Sequence, residues 1–437
     1  MRARWVFLVS GPPIRNGVVY VERGRIVAVE EAPSSRGAED LGNVAILPGL
    51  VNAHTHLDLS DLAEPLGEPG IAFCDWIRRV IGYRRSRDDN APEAAWQRGL
   101  AESFRFGATT LGDIVLWNAA RARCAAWSRH SGCSPHESGD EAPYSKGPAV
   151  TPFVELIAPT PETVPAVVEL AQDLLGRQLH GRPSTPESRG GSATATPTAY
   201  VGLSPHAPYS VHPDLLDRVV ALSAQQRLPL AMHLAESREE IELLRTGGGP
   251  LRELLGELGA WCPTLISTPT RPLDYLHKLA VAHRTLAIHG NYLDDEEIAL
   301  LAAQRQTMSV VYCPRTHAYF GHARYPLEKM LAAGVNVALG TDSRASSPDL
   351  SVLAEMREIA RWHPTVARET ILRMATLDGA CALGCDDEVG TLEPGKSADL
   401  VAVALPDRDA ADPHELLLDS DLPVVAVWRR GVKTACV

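Results

Sequence analysis

Eight apolar segments, each long enough for a β-strand, recur along most of the chain with helix-like stretches between them. They cover residues 44–57, 108–115, 149–158, 198–208, 228–237, 285–293, 308–315 and 335–343. Several are continuously apolar, which is typical of parallel strands covered by helices. The stretches between them are amphipathic, and the one that starts at Asp294 opens with four acids, as a helix N-terminus favours. Eight such units predict an α/β fold, a (β/α)8 barrel of the TIM type.

The two ends of the chain differ from this repeat. Residues 17–29 alternate β-branched side chains around a glycine-containing turn, which indicates a hairpin. Residues 398–404 and 423–432 show strand patterns as well. Neither end holds enough strands to be stable alone. We therefore predict a small β-sandwich composed of residues 1–48 and 390–437, beside a barrel over residues 49–389.

Two stretches interrupt the repeat, near residues 128–147 and 182–198. Together they are rich in Ser, Gly, Pro and Thr. Such segments bury too little apolar surface to order themselves, so we expect flexible insertions away from the catalytic chemistry.

Composition restricts the classes of partner. Lys and Arg total 42 against 54 Asp and Glu, and the net charge of -12 would repel a phosphate backbone, so we expect no nucleic-acid partner. No apolar window approaches the ~20 residues of a membrane helix, so we expect no membrane partner. Eight scattered cysteines favour reduced thiols and a cytoplasmic location. Large barrels often associate, so a homo-oligomer remains open.

Polar side chains with metal-binding chemistry lie at the carboxyl ends of the predicted strands, where barrel enzymes have their active sites. The first strand ends in two histidines separated by one residue, so both rings should face the same side. The fifth and eighth strands end in a histidine and an aspartate. The four ligand candidates are His54, His56, His233 and Asp342.

Three imidazoles and one carboxylate suit one divalent ion with a position open for water. The set favours zinc, although iron(II) or manganese fits the same shell. Bound zinc lowers the pKa of water to about 7 and so generates a nucleophile. Glu236 is the candidate to move protons, and His289 could polarise the substrate or hold the hydroxide. A single strand-end histidine is commonly structural, and Asp342 could cap a helix, but four strand ends together favour a metal site.

Taken in order, these residues resemble the amidohydrolase superfamily, in particular the branch of cytosine, guanine, S-adenosylhomocysteine and aminofutalosine deaminases with the triazine hydrolases. The resemblance spans nearly the full chain. The motifs that carry it are Leu47-Pro-Gly-Leu-Val-Asn-Ala-His-Thr-His-Leu, Pro205-His-Ala-Pro-Tyr-Ser, His233-Leu-Ala-Glu, Ala287-Ile-His-Gly, Cys313-Pro-Arg-Thr-His and Gly340-Thr-Asp-Ser.

The resemblance implies roles for these residues. The four ligand candidates match the family's metal ligands, Glu236 its proton shuttle, His289 its contact to the metal-bound water, and His206 a position that commonly touches the substrate. No lysine ends the fourth strand, where binuclear relatives carry a carboxylated lysine, so one metal ion is implied. The implied reaction is hydrolytic deamination. Asp342 accepts a proton from the water and Glu236 protonates the ring nitrogen beside the amine-bearing carbon.

The resemblance also bears on the substrate, through the lid segment after strand one. Gly82-Tyr83-Arg84 stands where S-adenosylhomocysteine deaminases usually supply a glutamate for the ribose hydroxyls. Arginines could instead bind an anionic group by bidentate pairing, although solvated surface arginines are equally ordinary. The resemblance favours an adenine-bearing nucleoside, such as an aminofutalosine-type compound. The substrate-contact candidates besides His206 are Trp76, Arg79, Arg84 and Arg315.

Two other functions remain open. The same site could remove chloride from a triazine or open a cyclic amide. Alternatively, the barrel could be catalytically inactive and serve as a binding module, although such barrels generally lack one or more ligands.

Overall fold

The computed structural model describes residues 1–31, 37–116, 147–180 and 201–434. The insertions predicted near 128–147 and 182–198 therefore lie, apart from Gly147, outside the described residues. The strands are β1 (Trp5–Val6), β2 (Ile14–Arg15), β3 (Gly17–Glu22), β4 (Arg25–Glu31), β5 (Val44–Pro48), β6 (Leu50–Thr55), β7 (Ala108–Val115), β8 (Ala149–Leu156), β9 (Gly202–Pro205), β10 (Pro229–Leu234), β11 (Arg284–His289), β12 (Met308–Tyr312), β13 (Asn336–Leu339), β14 (Leu400–Ala404), β15 (Val424–Arg429) and β16 (Val432–Thr434).

A short 3-10 helix, Leu57–Leu59, follows β6. The α-helices are α1 (Phe73–Ser86), α2 (Ala91–Arg105), α3 (Val164–His180), α4 (Pro213–Gln226), α5 (Arg238–Thr246), α6 (Pro250–Glu257), α7 (Pro272–Leu279), α8 (Asp295–Ala303), α9 (Pro314–Tyr319), α10 (Leu327–Ala333), α11 (Val352–Trp362), α12 (Arg368–Met374), α13 (Leu377–Leu383) and α14 (His414–Leu418). Among the described helices, none is both long enough and apolar enough to cross a membrane.

Strands β6 to β13 form one parallel sheet in chain order, and the predicted barrel is confirmed. Each predicted apolar segment contains one of these strands. The segment 44–57 contains two strands, β5 in the sheet of the chain ends and β6, the first strand of the barrel. The break falls at Gly49, where an added side chain would overlap Thr109.

The barrel closes between its last and first strands, and this closure sets the position of two ligand candidates. The backbone N–H groups of Thr341 and Asp342 both donate to the carbonyl of His54, each at 3.1 Å. The Asn52 side chain bonds Thr341 as donor to its hydroxyl at 2.8 Å and as acceptor from its N–H at 3.1 Å. A Cβ added at Gly340 would lie 2.9 Å from the His54 carbonyl oxygen. Glycine there allows the close approach that places His54 beside Asp342.

Both chain ends contribute to the second layer of strands. One sheet has the order β16-β15-β14-β5-β1-β2, and β3 pairs with β4 in a hairpin. Their shared core includes Val6, Val19 and Ile46 from the N-terminal part and Leu400 and Trp428 from the C-terminal part. The predicted sandwich of the two termini is thus confirmed, while its boundaries at 1–48 and 390–437 stay a prediction.

Candidate active site

The four ligand candidates meet at the carboxyl-terminal rim of the barrel. Donor atoms of His54, His56 and Asp342 lie within 4.8 Å of one another, and so do those of His54, His233 and His289. The Nε2 atoms of His54 and His56 lie 3.5 and 3.6 Å from Asp342 Oδ1. His54 thus joins two triplets of potential ligands that are all buried.

Local irregularities of the strands aim two of these histidines inward. Val51 and Ala53 belong to the inner layer of the barrel, so strict alternation would turn His54 outward. Between Asn52 and Thr55, however, β6 holds one residue more than β7, and this bulge reverses the alternation. Ile288 also lies in the inner layer, and the residue after it, His289, adopts a φ of +70°. The left-handed backbone turns its side chain toward the other rings.

Two more left-handed residues, Ala235 (φ +53°) and Asp342 (φ +55°), lie at strand ends in the same rim. This conformation costs of order 1–3 kcal/mol for a residue other than glycine, and it persists where hydrogen bonds enforce it. The carboxylate of Glu240 accepts from the N–H groups of Ala235 and Glu236 at 2.8 and 2.9 Å. The backbone that carries Glu236 is therefore held in place by a second, buried acid.

The histidine nitrogens fit a metal ion. Both ring nitrogens of His54 and Nδ1 of His56 are buried and have no hydrogen-bond partner among the described residues. Buried polar atoms are rarely left this way, and a coordinated cation would satisfy one nitrogen of each ring that binds it. Nδ1 of His233 lies 2.9 Å from the carbonyl oxygen of His206, which leaves Nε2 to face the cluster, as metal-binding histidines usually do. The donor set thus suits one divalent ion.

The protonation states also suit a metal. Burial lowers the pKa of His56, His233 and His289 well below the usual value, which keeps the rings in the neutral form that binds a cation. Burial by itself would raise the pKa of Asp342, but the His54 ring and the other nearby histidines hold that pKa below its usual range. The ionised carboxylate that this favours at Asp342 is the form that could bind a cation.

The pKa of Glu236 is shifted in the opposite direction to that of Asp342. Burial raises its pKa well above the usual value, and the charges of Asp342 and Glu240 add to that rise. Its Oε1 lies 3.4 Å from Nε2 of His289, and its carbonyl accepts a 2.8 Å hydrogen bond from Asn291. A carboxyl group that keeps its proton at neutral pH can act as a general acid.

A cavity of about 270 Å³ opens from these residues toward α1 and α6. Its inner end is polar, because His56, His206, His233, Glu236 and Asp342 line it. Its outer wall is formed by the apolar side chains of the two helices. These are Phe73, Trp76, Ile77, Val80, Ile81, Leu251, Leu254 and Leu255. Trp76 is therefore a lining residue, as the sequence analysis expected for a substrate contact, and its Nε1 donates to the Ala345 carbonyl at 2.9 Å.

The other substrate-contact candidates separate into two groups. His206 and Arg84 line the cavity, and burial lowers the pKa of His206 to about 4, so that its ring is neutral. Arg79 and Arg315 are not among the lining residues. Arg315 instead donates through Nε to Glu355 at 2.6 Å and through Nη2 to Asp349 at 2.8 Å. The structure does not bring Arg315 to the site, because the buried Glu355 and the partly exposed Asp349 bind it.

Replacement of Arg315 by methionine is expected to lower the free energy of unfolding by roughly 3–5 kcal/mol, because it leaves a buried acid without its cation. Burial raises the pKa of Glu355 to about 7, and Arg315 opposes that rise. Urea denaturation measures the loss, and an Arg315→Met/Glu355→Gln double variant should recover much of it. Unchanged stability together with a raised KM would show instead that Arg315 contacts substrate.

The sequence analysis missed a charged lining residue, Glu155, as well as the apolar wall. Glu155 lies on β8, two residues after the inward-facing Phe153, and borders the cavity. The available signal was a single acid near the carboxyl end of an otherwise apolar strand, Ala149–Leu156.

Comparisons with known proteins agree with this geometry. The model of the amidohydrolase family matches residues 45–434. The 5-methylthioadenosine/S-adenosylhomocysteine deaminase of Moorella thermoacetica is 32% identical over 423 residues, which is 93% of this chain and 84% of the relative. The chain therefore belongs to the amidohydrolase family, and the predicted family and the predicted class, a hydrolase acting on carbon–nitrogen bonds, are confirmed.

Solved structures share the whole fold. A zinc-bound adenosine deaminase of Xanthomonas campestris superimposes with a TM-score of 0.71 at 25% identity, over 99% of this chain and 91% of the other. An aminofutalosine deaminase of Helicobacter pylori in complex with methylthio-coformycin gives a TM-score of 0.77 at 21% identity, over 99% of both chains.

Proposed function

We propose that the protein is a zinc-dependent deaminase that hydrolyses the exocyclic amino group of an adenosine-like nucleoside. The observation that carries this proposal is the meeting of two buried triplets of potential ligands (His54, His56 and Asp342; His54, His233 and His289) at a cavity that Glu236 also lines. The names of the relatives support it, since they describe deaminases of adenosine-type compounds.

His54, His56, His233 and Asp342 would hold the ion, with His289 within reach of the same centre. Bound there, a divalent ion lowers the pKa of a water molecule to about 7 and so supplies the nucleophile. Zinc is the ion that this donor set and the zinc-bound relative favour.

The protein's own residues then move the protons. Asp342 takes a proton from the attacking water, and Glu236 gives its proton to the ring nitrogen next to the amine-bearing carbon. His289, 3.4 Å from Glu236, orients that carboxyl group and the incoming oxygen. Asp342 passes the proton it took from the water to the amino group, which leaves as ammonia, and the second proton of the water, carried on the oxygen now bonded to the ring carbon, returns to Glu236. Burial raises the pKa of Glu236, and this direction favours its role as the acid in the first step.

Ammonia release from zinc-loaded protein tests the proposal. Adenosine and its derivatives are expected to be deaminated, with guanine and cytosine far slower. Chloride release from a chlorotriazine with no deamination of any nucleoside would support the triazine alternative. A protein that binds no stoichiometric metal would support the binding module.

The outer wall of the cavity predicts which nucleosides are preferred. Side chains such as Leu251, Leu254 and Ile77 are apolar, and burial of a charged group against them without a partner is costly. We expect kcat/KM for 5′-methylthioadenosine to exceed that for S-adenosylhomocysteine by at least about 10-fold, the effect of about 1.4 kcal/mol. Steady-state assays with both compounds measure the ratio. A ratio near one, or a preference for the charged compound, would contradict this role of the wall.

A further inference from the structure

An acid that the proposed mechanism does not use lies at the end of β8. The Glu155 side chain is only 4% exposed, yet it borders the cavity. It has the inward orientation of Phe153, so its carboxylate faces the substrate side of the barrel rather than the helices outside.

The contacts of this carboxylate are too long to satisfy it. Nη1 of Arg84 lies 3.9 Å from Oε2, and Nε2 of His206 lies 4.0 Å from Oε1. Neither distance is a hydrogen bond. Among the described residues, none donates a hydrogen bond to the Glu155 side chain. A buried carboxylate without donors is unfavourable, so the position suits a ligand that brings its own donors.

We propose that Glu155 binds the vicinal hydroxyl groups of the substrate's ribose, one on each carboxylate oxygen. The proposal rests on the proposed deamination of a nucleoside. The His206 ring lies between Glu155 and the candidate metal site, with its centroid 5.0 Å from that of His233. Glu155 is thus separated from the candidate metal site by one side chain, on the wall of the cavity that would hold the sugar.

Arg84, on helix α1, supports this role of Glu155. Its guanidinium lies between Glu155 and Asp58, with Nη2 3.5 Å from Asp58 Oδ2. Burial raises the pKa of Glu155, and the positive charge of Arg84 opposes that rise and so favours the ionised form, which accepts two hydrogen bonds. In this chain the acid that binds the sugar hydroxyls, Glu155, is therefore supplied by strand β8, and the arginine that positions it, Arg84, is supplied by helix α1.

The test compares adenosine with 2′-deoxy-, 3′-deoxy- and 2′,3′-dideoxyadenosine in the zinc-loaded enzyme and in Glu155→Ala and Glu155→Gln variants. Hydrogen bonds to a charged group are worth roughly a 10- to 100-fold difference. We expect the dideoxy compound to lose about that factor in kcat/KM with the unaltered enzyme and less than about 3-fold with Glu155→Ala. Asp61→Asn is the matched control, because Asp61 pairs with Arg87 in the same charge cluster but does not line the cavity. It should keep the full discrimination.

Calorimetric binding of purine riboside and purine 2′-deoxyriboside, which carry no amino group, gives a second readout that does not need turnover. Weaker binding of the deoxy compound by the unaltered protein, and no such difference in Glu155→Ala, supports the proposal. If adenosine is deaminated but the discrimination survives in Glu155→Ala, this inference is wrong and the proposed function stands. If no nucleoside is deaminated or bound, both fail.

Discussion

Glutamine in place of Glu236 is expected to lower kcat for adenosine deamination by about 10²- to 10⁴-fold, the range typical of a lost general acid. The glutamine side chain occupies the same volume but cannot transfer a proton. Its backbone would still be held by Glu240, through the 2.9 Å hydrogen bond to the N–H of residue 236. Zinc content, measured by atomic absorption, should remain close to one ion per chain.

Glu239→Gln provides the matched control for this prediction. Glu239 is a neighbouring acid on α5 that does not line the cavity, and its loss should change kcat by less than about 2-fold, as for other substitutions away from the site. Should Glu236→Gln retain near-normal turnover with zinc bound, the proton would have to come from another group and the assigned mechanism would fail.

A second large effect is expected at the metal. We expect His54→Asn to abolish stoichiometric zinc binding and to lower kcat/KM by more than about 10³-fold, because His54 belongs to both triplets of potential ligands. The loss of a tightly bound ion also lowers stability by mass action, by about 4 kcal/mol at a zinc concentration 1,000 times Kd. Thermal unfolding with and without a chelator measures this difference.

The control is His322, whose buried Nε2 has no hydrogen-bond partner within the described part of the chain. It lies outside the cavity lining, and its Nδ1 bonds the Tyr292 hydroxyl. His322→Asn should keep one zinc ion and most of the activity. Equal zinc content in the two variants would show that the ion does not depend on His54, and the proposed centre would then be misplaced.

Much of the site could be predicted from the chain because the residues involved follow a strong repeat. Parallel strands end at the same rim of a barrel, so His233 at the end of β10 and Asp342 just after β13 had to lie on one side of the molecule. The spacing of His54 and His56 likewise required their rings to face the same way. None of these inferences needed contacts between distant parts of the chain.

Arg79, Arg84 and Arg315 show where such reasoning ends. In the sequence, all three are equivalent, since each is a basic residue close to a conspicuous motif. Only Arg84 lines the cavity, and Arg315 instead pairs with Glu355 and Asp349. Glu155 is the opposite example, because no motif marks it in the sequence. Its candidate role follows from the absence of close partners among the described residues. Partners separated by 30 to 70 residues cannot be assigned from composition or periodicity.

The sequence by itself determined the barrel, the pairing of both termini in one sandwich and the four candidate ligands, since hydrophobic periodicity and motif spacing are local properties of the chain. Only the tertiary structure decided how those ligands are aimed. The bulge between Asn52 and Thr55 turns His54 inward, and the left-handed backbone at His289 does the same for its ring. Period-two alternation would have turned both side chains outward. Such backbone states cost energy locally and are stable only because the closed barrel, with its cross-strand hydrogen bonds, enforces them.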